Sequence, residues 1–301
     1  MPLPYRRILV ALDGSEESEA ALAKGIDTAL AYKSTLGICH IVDYHNIKEL
    51  RKQYPDLMLH PLNKKGSEIT ARGKEEAENA GIYHVRVFIK EGIPKAAVAD
   101  DIVKPFEPDL IVTGGSGAGT NEKKRLGSVS AGIVRRASCD VWVVKNSDSS
   151  AIYRSVLIAV DGSDASKSAF YAGLNMAKRN HNAARIIYVL NTQSLSSLEP
   201  YTNDLVDVYK GRAEALLHEY RTLSDAENHG LKSVQYSIEY GTPKTAVPGE
   251  IARKHQADLI VVGASGMGRT QRFILGSVSE STVRRASCDV LVVRNQHQPE
   301  I

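Results

Sequence analysis

Cysteine is scarce in this chain of 301 residues, and its three copies cannot make the paired framework that staples a small secreted scaffold. Cys139 and Cys288 fall at equivalent points beside apolar strand-like runs. They read as small apolar filler, with a redox role as the alternative. Charge of one sign is also missing: 38 Lys and Arg stand against 35 Asp and Glu, a net of +3. A field that weak advertises neither nucleic acid nor an anionic membrane as a partner. No apolar run approaches the roughly 18 residues of a membrane-spanning helix. The opening Met1-Pro2-Leu3-Pro4-Tyr5-Arg6-Arg7 leads straight into a strand pattern and lacks the form of a signal peptide. The expectation is a soluble, cytoplasmic protein.

What the chain does have is itself, twice. Arg6 to Ser15 (RRILVALDGS) returns as Arg154 to Ser163 (RSVLIAVDGS), and Arg135 to Val141 (RRASCDV) returns unchanged as Arg284 to Val290. Gly92-Ile93-Pro94-Lys95 is echoed by Gly241-Thr242-Pro243-Lys244. Pro108 to Lys145 aligns without a gap on Ala257 to Arg294, with more than half of the positions identical. A period of about 149 residues is too long for a solenoid unit and suits a complete domain. Two domains are expected, 1–147 and 148–301, joined near the polar stretch Asn146 to Ser150.

Within each repeat, short β-rich apolar runs alternate with stretches of helical period. In the first, strands are expected at Ile8–Leu12, Leu36–Val42, His84–Ile89, Leu110–Thr113 and Val141–Val144. Helices are expected over Glu16–Tyr32, up to about Gly81, after Pro94, and over Val129–Ala137. Asp43 to Asn63 shows no clean period and reads as a loop or an extra helix. Alternation of this kind implies parallel β-α-β units with right-handed crossovers and helices on both faces. The fold class is therefore α/β, two tandem doubly wound domains, each with a five-stranded parallel sheet.

Ligands in such folds sit beyond the carboxyl ends of the strands, where neighbouring connections diverge. If the first strand is central, Asp13 comes beside Gly114, and Asp161 beside Gly263. The chain repeats one spacing there: glycine, two residues, glycine, nine residues, glycine-serine. It runs Gly114, Gly117, Gly127-Ser128 in the first half and Gly263, Gly266, Gly276-Ser277 in the second. Phosphate oxygens need close approach to main-chain N–H groups, which glycine permits, and the free N–H groups at a helix start suit an anion. Ser128, Ser130, Ser277 and Ser279 could add hydroxyl donors. The plainer alternative is that the glycines make turns and the serines cap helices. Asp13 and Asp161, each followed by Gly-Ser, could likewise either cap the next helix or receive a ribose hydroxyl.

Other chemistries fail on inspection. The P-loop requires a lysine after its last glycine, but Gly114 to Gly119 is followed by Thr120. The nucleophile elbow G-x-S-x-G is nearly matched at Ser116 and Ser265 and lacks its last glycine both times, with no histidine recurring to serve as base. Metal-ligand spacing is absent: His40 is matched by Tyr188, and His45 and His60 have no counterparts. No repeated general base appears, so efficient catalysis is not expected.

The glycine spacing, the strand-terminal aspartate and the closing Val-Arg-Arg-Ala-Ser-Cys-Asp-Val strand resemble the universal stress protein family in its tandem, ATP-binding form, over essentially the whole chain. The resemblance implies a sheet of order 3-2-1-4-5 and an adenine nucleotide such as ATP as ligand, with at most slow hydrolysis and any magnesium held through the phosphates. It implies that Asp13 and Asp161 hold the ribose. The main chain at Ala11 and Ile41, or at Ala159 and Val189, would frame the adenine, with Thr113 and Val262 lining the same pocket. Gly114, Gly117, Gly127, Ser128, Val129 and Ser130 would bind ribose and phosphates in the first half. Gly263, Gly266, Gly276, Ser277, Val278 and Ser279 would do so in the second. It further implies that the last strands, Val141–Val144 and Val290–Val293, meet antiparallel as an intramolecular pseudo-dimer with Trp142 and Leu291 at the contact; whole chains could pair as a homodimer.

The chain departs from the family in carrying Ser116 and Ser265 where many members have histidine or arginine. The spacers also differ, with Lys123, Lys124 and Arg125 in one and Arg269 and Arg272 in the other. These charges could neutralise phosphate or belong to a solvated loop, and the two sites are expected to differ in affinity.

Overall fold

The computed structural model describes residues 5–44, 53, 55–116, 126–146, 152–179, 181–198, 203–227, 231–266 and 275–294. The chain divides into two compact units, Pro4–Ala151 and Ile152–Ile301. Gly117 and the charged spacers of both halves lie outside the described residues.

In the first unit, β1 (Arg7–Ala11) leads through Asp13-Gly14-Ser15 into α1 (Glu16–Tyr32). β2 (Thr35–Val42), α2 (Pro55–Asn79) and β3 (Val85–Glu91) follow. A helical stretch, α3, begins at Pro94–Ala96, loosens to π geometry over Ala97–Ile102 and ends at Val103–Phe106. β4 (Leu110–Gly114), α4 (Ser128–Arg136) and β5 (Asp140–Val144) complete the unit. The ambiguous stretch Asp43 to Asn63 is helical from Pro55 onward, with Pro61 inside the helix; residues 45–52 and 54 lie outside the described residues. Proline and polar residues there blur the helical period.

The second unit repeats the plan with β6 (Ser155–Ala159), α5 (Asp164–Lys178) and β7 (Ala183–Asn191). Then come the short α6 (Thr192–Leu198), the long α7 (Asn203–Glu227) and β8 (Ser233–Gly241). The stretch α8 again has a π segment, Val247–Ile251, between Pro243–Ala246 and Ala252–Lys254. β9 (Leu259–Gly263), α9 (Ser277–Arg285) and β10 (Asp289–Val293) close it.

The strand order is β3-β2-β1-β4-β5 in the first unit and β8-β7-β6-β9-β10 in the second, with neighbours parallel. That is the expected 3-2-1-4-5, twice. β1 and β6 are central because their residues Ile8, Leu9 and Val10, and Val156, Leu157 and Ile158, have no accessible surface and can be covered on both faces only inside the sheet. The register sets Ala11 against Cys39 on one side and Thr113 on the other, so the loops after β1 and β4 leave the sheet side by side. This is the topological switch point where such sheets take ligands.

Buried polar groups tie the opposite ends together. Tyr5 donates to Asp140 at 2.9 Å and Tyr153 to Asp289 at 2.5 Å, both aspartates being fully buried. Burial, reinforced by the Asp140 carboxylate, pushes the Tyr5 hydroxyl well above the ordinary tyrosine range. Asp109 accepts the amides of Arg6 and Arg7 at 2.6 and 2.9 Å, and Asp258 accepts those of Arg154 and Ser155 at 2.7 and 3.0 Å. Each aspartate fixes where a central strand begins, and hence where its far end delivers the site.

Candidate functional site

The loop after each central strand is built the same way. Asp13 Oδ1 accepts the Ser15 amide at 3.0 Å and its hydroxyl at 2.6 Å, and Asp161 does so for Ser163 at the same distances. Ser15 and Ser163 are the N-caps of α1 and α5, each accepting at 3.2 Å from the amide three residues on. Gly14 and Gly162 make the turn possible with φ of 82° and 88°, a region that strains other residues. One carboxylate oxygen therefore serves the cap. In the second unit the other oxygen, Oδ2, lies only 2.8 Å from where a Cβ on Gly266 would stand. In the second unit the cap thus uses Oδ1 of Asp161, while Oδ2 faces Gly266 of the glycine motif.

The first glycine of each motif has a packing task that spacing alone did not disclose. A Cβ on Gly263 would lie 2.6 Å from the carbonyl carbon of Ala165 in α5, and one on Gly114 would lie 3.0 Å from that of Glu17 in α1. Glycine lets a helix backbone cross the strand end closely, more tightly at Gly263 than at Gly114. The last glycine acts on the loop: the Gly127 amide donates to Gly115 O, and the Gly276 amide to Ala264 O, both at 2.7 Å. These bonds bring the start of α4 or α9 against the end of β4 or β9. Neither Gly127 nor Gly276 has a side chain to cap the helix it precedes, so no capping side chain covers the first-turn N–H groups at the positive end of the helix dipole.

Ser130 and Ser279 behave differently from the hydroxyl donors expected. Each is buried and donates at 2.5 Å to the carbonyl of the first glycine, Gly114 or Gly263. With their hydrogens engaged they brace the loop and offer only lone pairs to a ligand. Ser128 and Ser277 open their helices and remain the candidates for donation.

In the second unit these parts enclose a cavity of about 500 Å³, within the roughly 300–1,000 Å³ of ligand pockets generally. Ala159, Asp161, Val189, Val262, Gly263, Gly266, Gly276, Ser277, Val278 and Ser279 all line it, the ten residues of that half that the resemblance assigns to the nucleotide. Residues the sequence did not single out join them: Ser166, Tyr188, Asn191, Ser194, Tyr209, Pro243 and Val247 among others. Pro243 and Lys244 belong to a repeated tetrapeptide, a signal that could have pointed there. Tyr209 and Ser194 come from helices in the part of the repeat that carried no clean period, so nothing in the sequence placed them. Asp161 is the one charged side chain among the described lining residues. Burial, followed by the Asp161 charge, raises the pKa of Tyr188, so its hydroxyl stays protonated at neutral pH and can donate. Apolar ends of β6, β7 and β9 form one side of the cavity and a helix start the other, an arrangement suited to a flat apolar group joined to an anion.

The first unit sets the same parts at the same register. Ala11 and Thr113 are paired neighbours, Ile41 lies on β2, and Gly127, Ser128, Val129 and Ser130 begin α4. Its differences lie in the side chains. Glu17 accepts from the Ser116 hydroxyl at 2.5 Å, and His40 Nδ1 lies 2.8 Å from the Leu12 carbonyl, where the second unit has Ala165 and Tyr188.

A family model described as the universal stress protein family matches residues 4–145 and again 152–294. The chain belongs to the universal stress protein family. A Staphylococcus aureus protein named for this family is 44% identical over 147 residues, which is 49% of this chain and 87% of that protein. A crystal structure of a universal stress protein from Archaeoglobus fulgidus shares the fold with a TM-score of 0.67 at 23% identity, covering 96% of this chain and 98% of that one. A Pseudomonas aeruginosa structure matches with a TM-score of 0.65 at 18% identity, covering 97% and 93%. The chain is thus a tandem of two universal stress protein domains. Among the described residues, no helix is long and apolar enough to cross a membrane, and no cluster of His, Cys, Asp and Glu could hold a metal ion.

Proposed function

We propose that this tandem universal stress protein binds adenine nucleotide, ATP in the first instance, and acts in the cytoplasm as a regulator whose occupancy alters its partner choice. The observation that carries the proposal is the lining of the second unit's cavity by the ten residues of that half assigned to the nucleotide. The strand ends Ala159, Val189 and Val262 suit an adenine, the second oxygen of Asp161 suits a ribose hydroxyl, and the start of α9 at Ser277 suits phosphate. Magnesium would ride on the phosphates, as a small, strongly hydrated cation usually does. The role is binding rather than rapid hydrolysis. Phosphoryl transfer needs cations around the migrating group and a residue orienting water, and the described lining supplies neither.

Calorimetry on the full chain tests the proposal. Micromolar binding of ATP, about 8 kcal/mol, is expected. Gly276→Val, which crowds the Ala264 carbonyl 3.3 Å from the new Cβ, should remove uptake at the second unit while circular dichroism stays unchanged. Undiminished uptake in that variant would overturn the assignment.

A further inference from the structure

The two glycine loops differ in charge where phosphate would lie. Ser116 follows Gly115, whose carbonyl holds the amide of Gly127 at 2.7 Å, and its hydroxyl is bonded at 2.5 Å to the half-buried carboxylate of Glu17. In the second unit the equivalent serine, Ser265, lines the cavity, and the residue equivalent to Glu17 is Ala165. Glu17 belongs to a first helical turn that also holds Glu16 and Glu19, whereas the matching turn of α5 holds only Asp164. Among the described residues, the cation next to the loop is matched in the two units. Lys145 lies beside Gly115, its Cγ 2.8 Å from where a Cβ would stand, and Arg294 occupies the matching position of the second unit.

Resting on the nucleotide reading above, we propose that Glu17 is a charge filter that makes the two sites take different ligands. The second unit binds the triphosphate. The first binds adenine ligands of low charge, of the nucleoside class, because a carboxylate fixed at the loop by Ser116 repels each added phosphate charge and leaves a neutral nucleoside untouched. A like charge held in a half-buried wall is screened less than one in free solution, so its effect persists at physiological salt.

The test is calorimetric titration of the full chain with Mg-ATP and, separately, with adenosine. The wild-type chain should take two adenosines and one ATP in the same concentration range. Glu17→Gln keeps an acceptor for Ser116 and removes the charge. It should strengthen the weaker ATP site roughly tenfold or more, lowering the adenosine-to-ATP affinity ratio of that site by the same factor. Adding Glu17→Gln to Gly276→Val isolates the effect in the first unit: ATP uptake that is weak in the single variant should recover in the double. Two equally tight ATP sites in the wild type would overturn the filter and leave the nucleotide reading standing, as would an ATP affinity unmoved by Glu17→Gln. No uptake of either ligand by the wild-type chain would overturn both.

Discussion

At the outer end of its sheet the first unit stacks Phe88 edge-on against Phe106, ring centres 5.4 Å apart, with the Arg86 guanidinium over both rings. At the same positions the second unit has Ser237 and His255, joined through Glu239, which also meets Lys254 at 2.8 Å. An aromatic cluster and an ionic one thus fill the same place in two copies of one fold. At the switch-point end the copies barely differ: the Asp-Gly-Ser turn, the serine bracing the first glycine and the amide tie to the last glycine recur with equal or nearly equal distances. The edge of a sheet needs only to be covered, and several chemistries can do that. The switch point has to bring four loops together at fixed separations, which leaves little room for substitution. Where the copies do diverge there, as at Glu17 and Ala165, the change is in charge.

The largest expected effect tests whether the helix crossing is equally tight in both copies. Gly263→Ala sets a methyl 2.6 Å from backbone that cannot turn aside, whereas at Gly114 the nearest atoms stand at 3.0 Å. Overpacking of this kind costs about 3 kcal/mol for Gly263→Ala and about 1 kcal/mol for Gly114→Ala. A chain of two units need not unfold in one step, so native-state hydrogen exchange, read on the strands of each unit, is the suitable measurement. Equal losses would show that the crossings are alike and that the difference in contact is without consequence.

The same two glycines mark the limit of what the sequence discloses. Their spacing, and its recurrence, placed them at the strand ends and beside a helix start. The spacing carried no sign that Gly114 and Gly263 are held by α1 and α5, because a contact between a strand end and a helix some hundred residues earlier leaves no local pattern. The strands were legible within a residue or so, since buried parallel strands are short unbroken apolar runs. The sequence offered Ser130 and Ser279 as hydroxyl donors and carried no sign that they turn to the carbonyls of Gly114 and Gly263, a contact set by the packing of the helix start against the strand end. Tyr188 stood in plain view as the counterpart of His40, whereas Tyr209 lies in α7, in the second copy of the stretch that showed no clean period in the first.

A smaller effect asks whether the capping turns are equivalent. Ser15→Ala and Ser163→Ala each remove an N-cap acceptor at 3.2 Å and should each destabilise their own unit by about 1 kcal/mol. Matching losses are expected because both caps are held from behind by an aspartate in the same geometry. If one unit suffers much more, its aspartate is engaged more strongly in the cap and is less available to a ribose.

The smallest effect separates the two sheet edges by pH. Burial alone would raise the carboxyl of Glu239, but hydrogen bonds from Lys254, His255 and Ser237 outweigh it and hold the group below its ordinary 4.5. A carboxylate depressed in the folded state adds stability that is fully present above its unfolded pKa and is lost as pH falls through the folded value. The second unit should therefore weaken as pH drops below about 4.5. The loss attributable to this group should stay under about 1 kcal/mol, because the Lys254 side chain is largely in solvent. Glu239→Gln should flatten that part of the pH profile of β8 in hydrogen exchange. It should leave β3 unaffected, where Phe88 and Phe106 have nothing to titrate. A profile for β8 that is the same in wild type and variant would mean that the ionic cluster covers the edge as passively as the aromatic one.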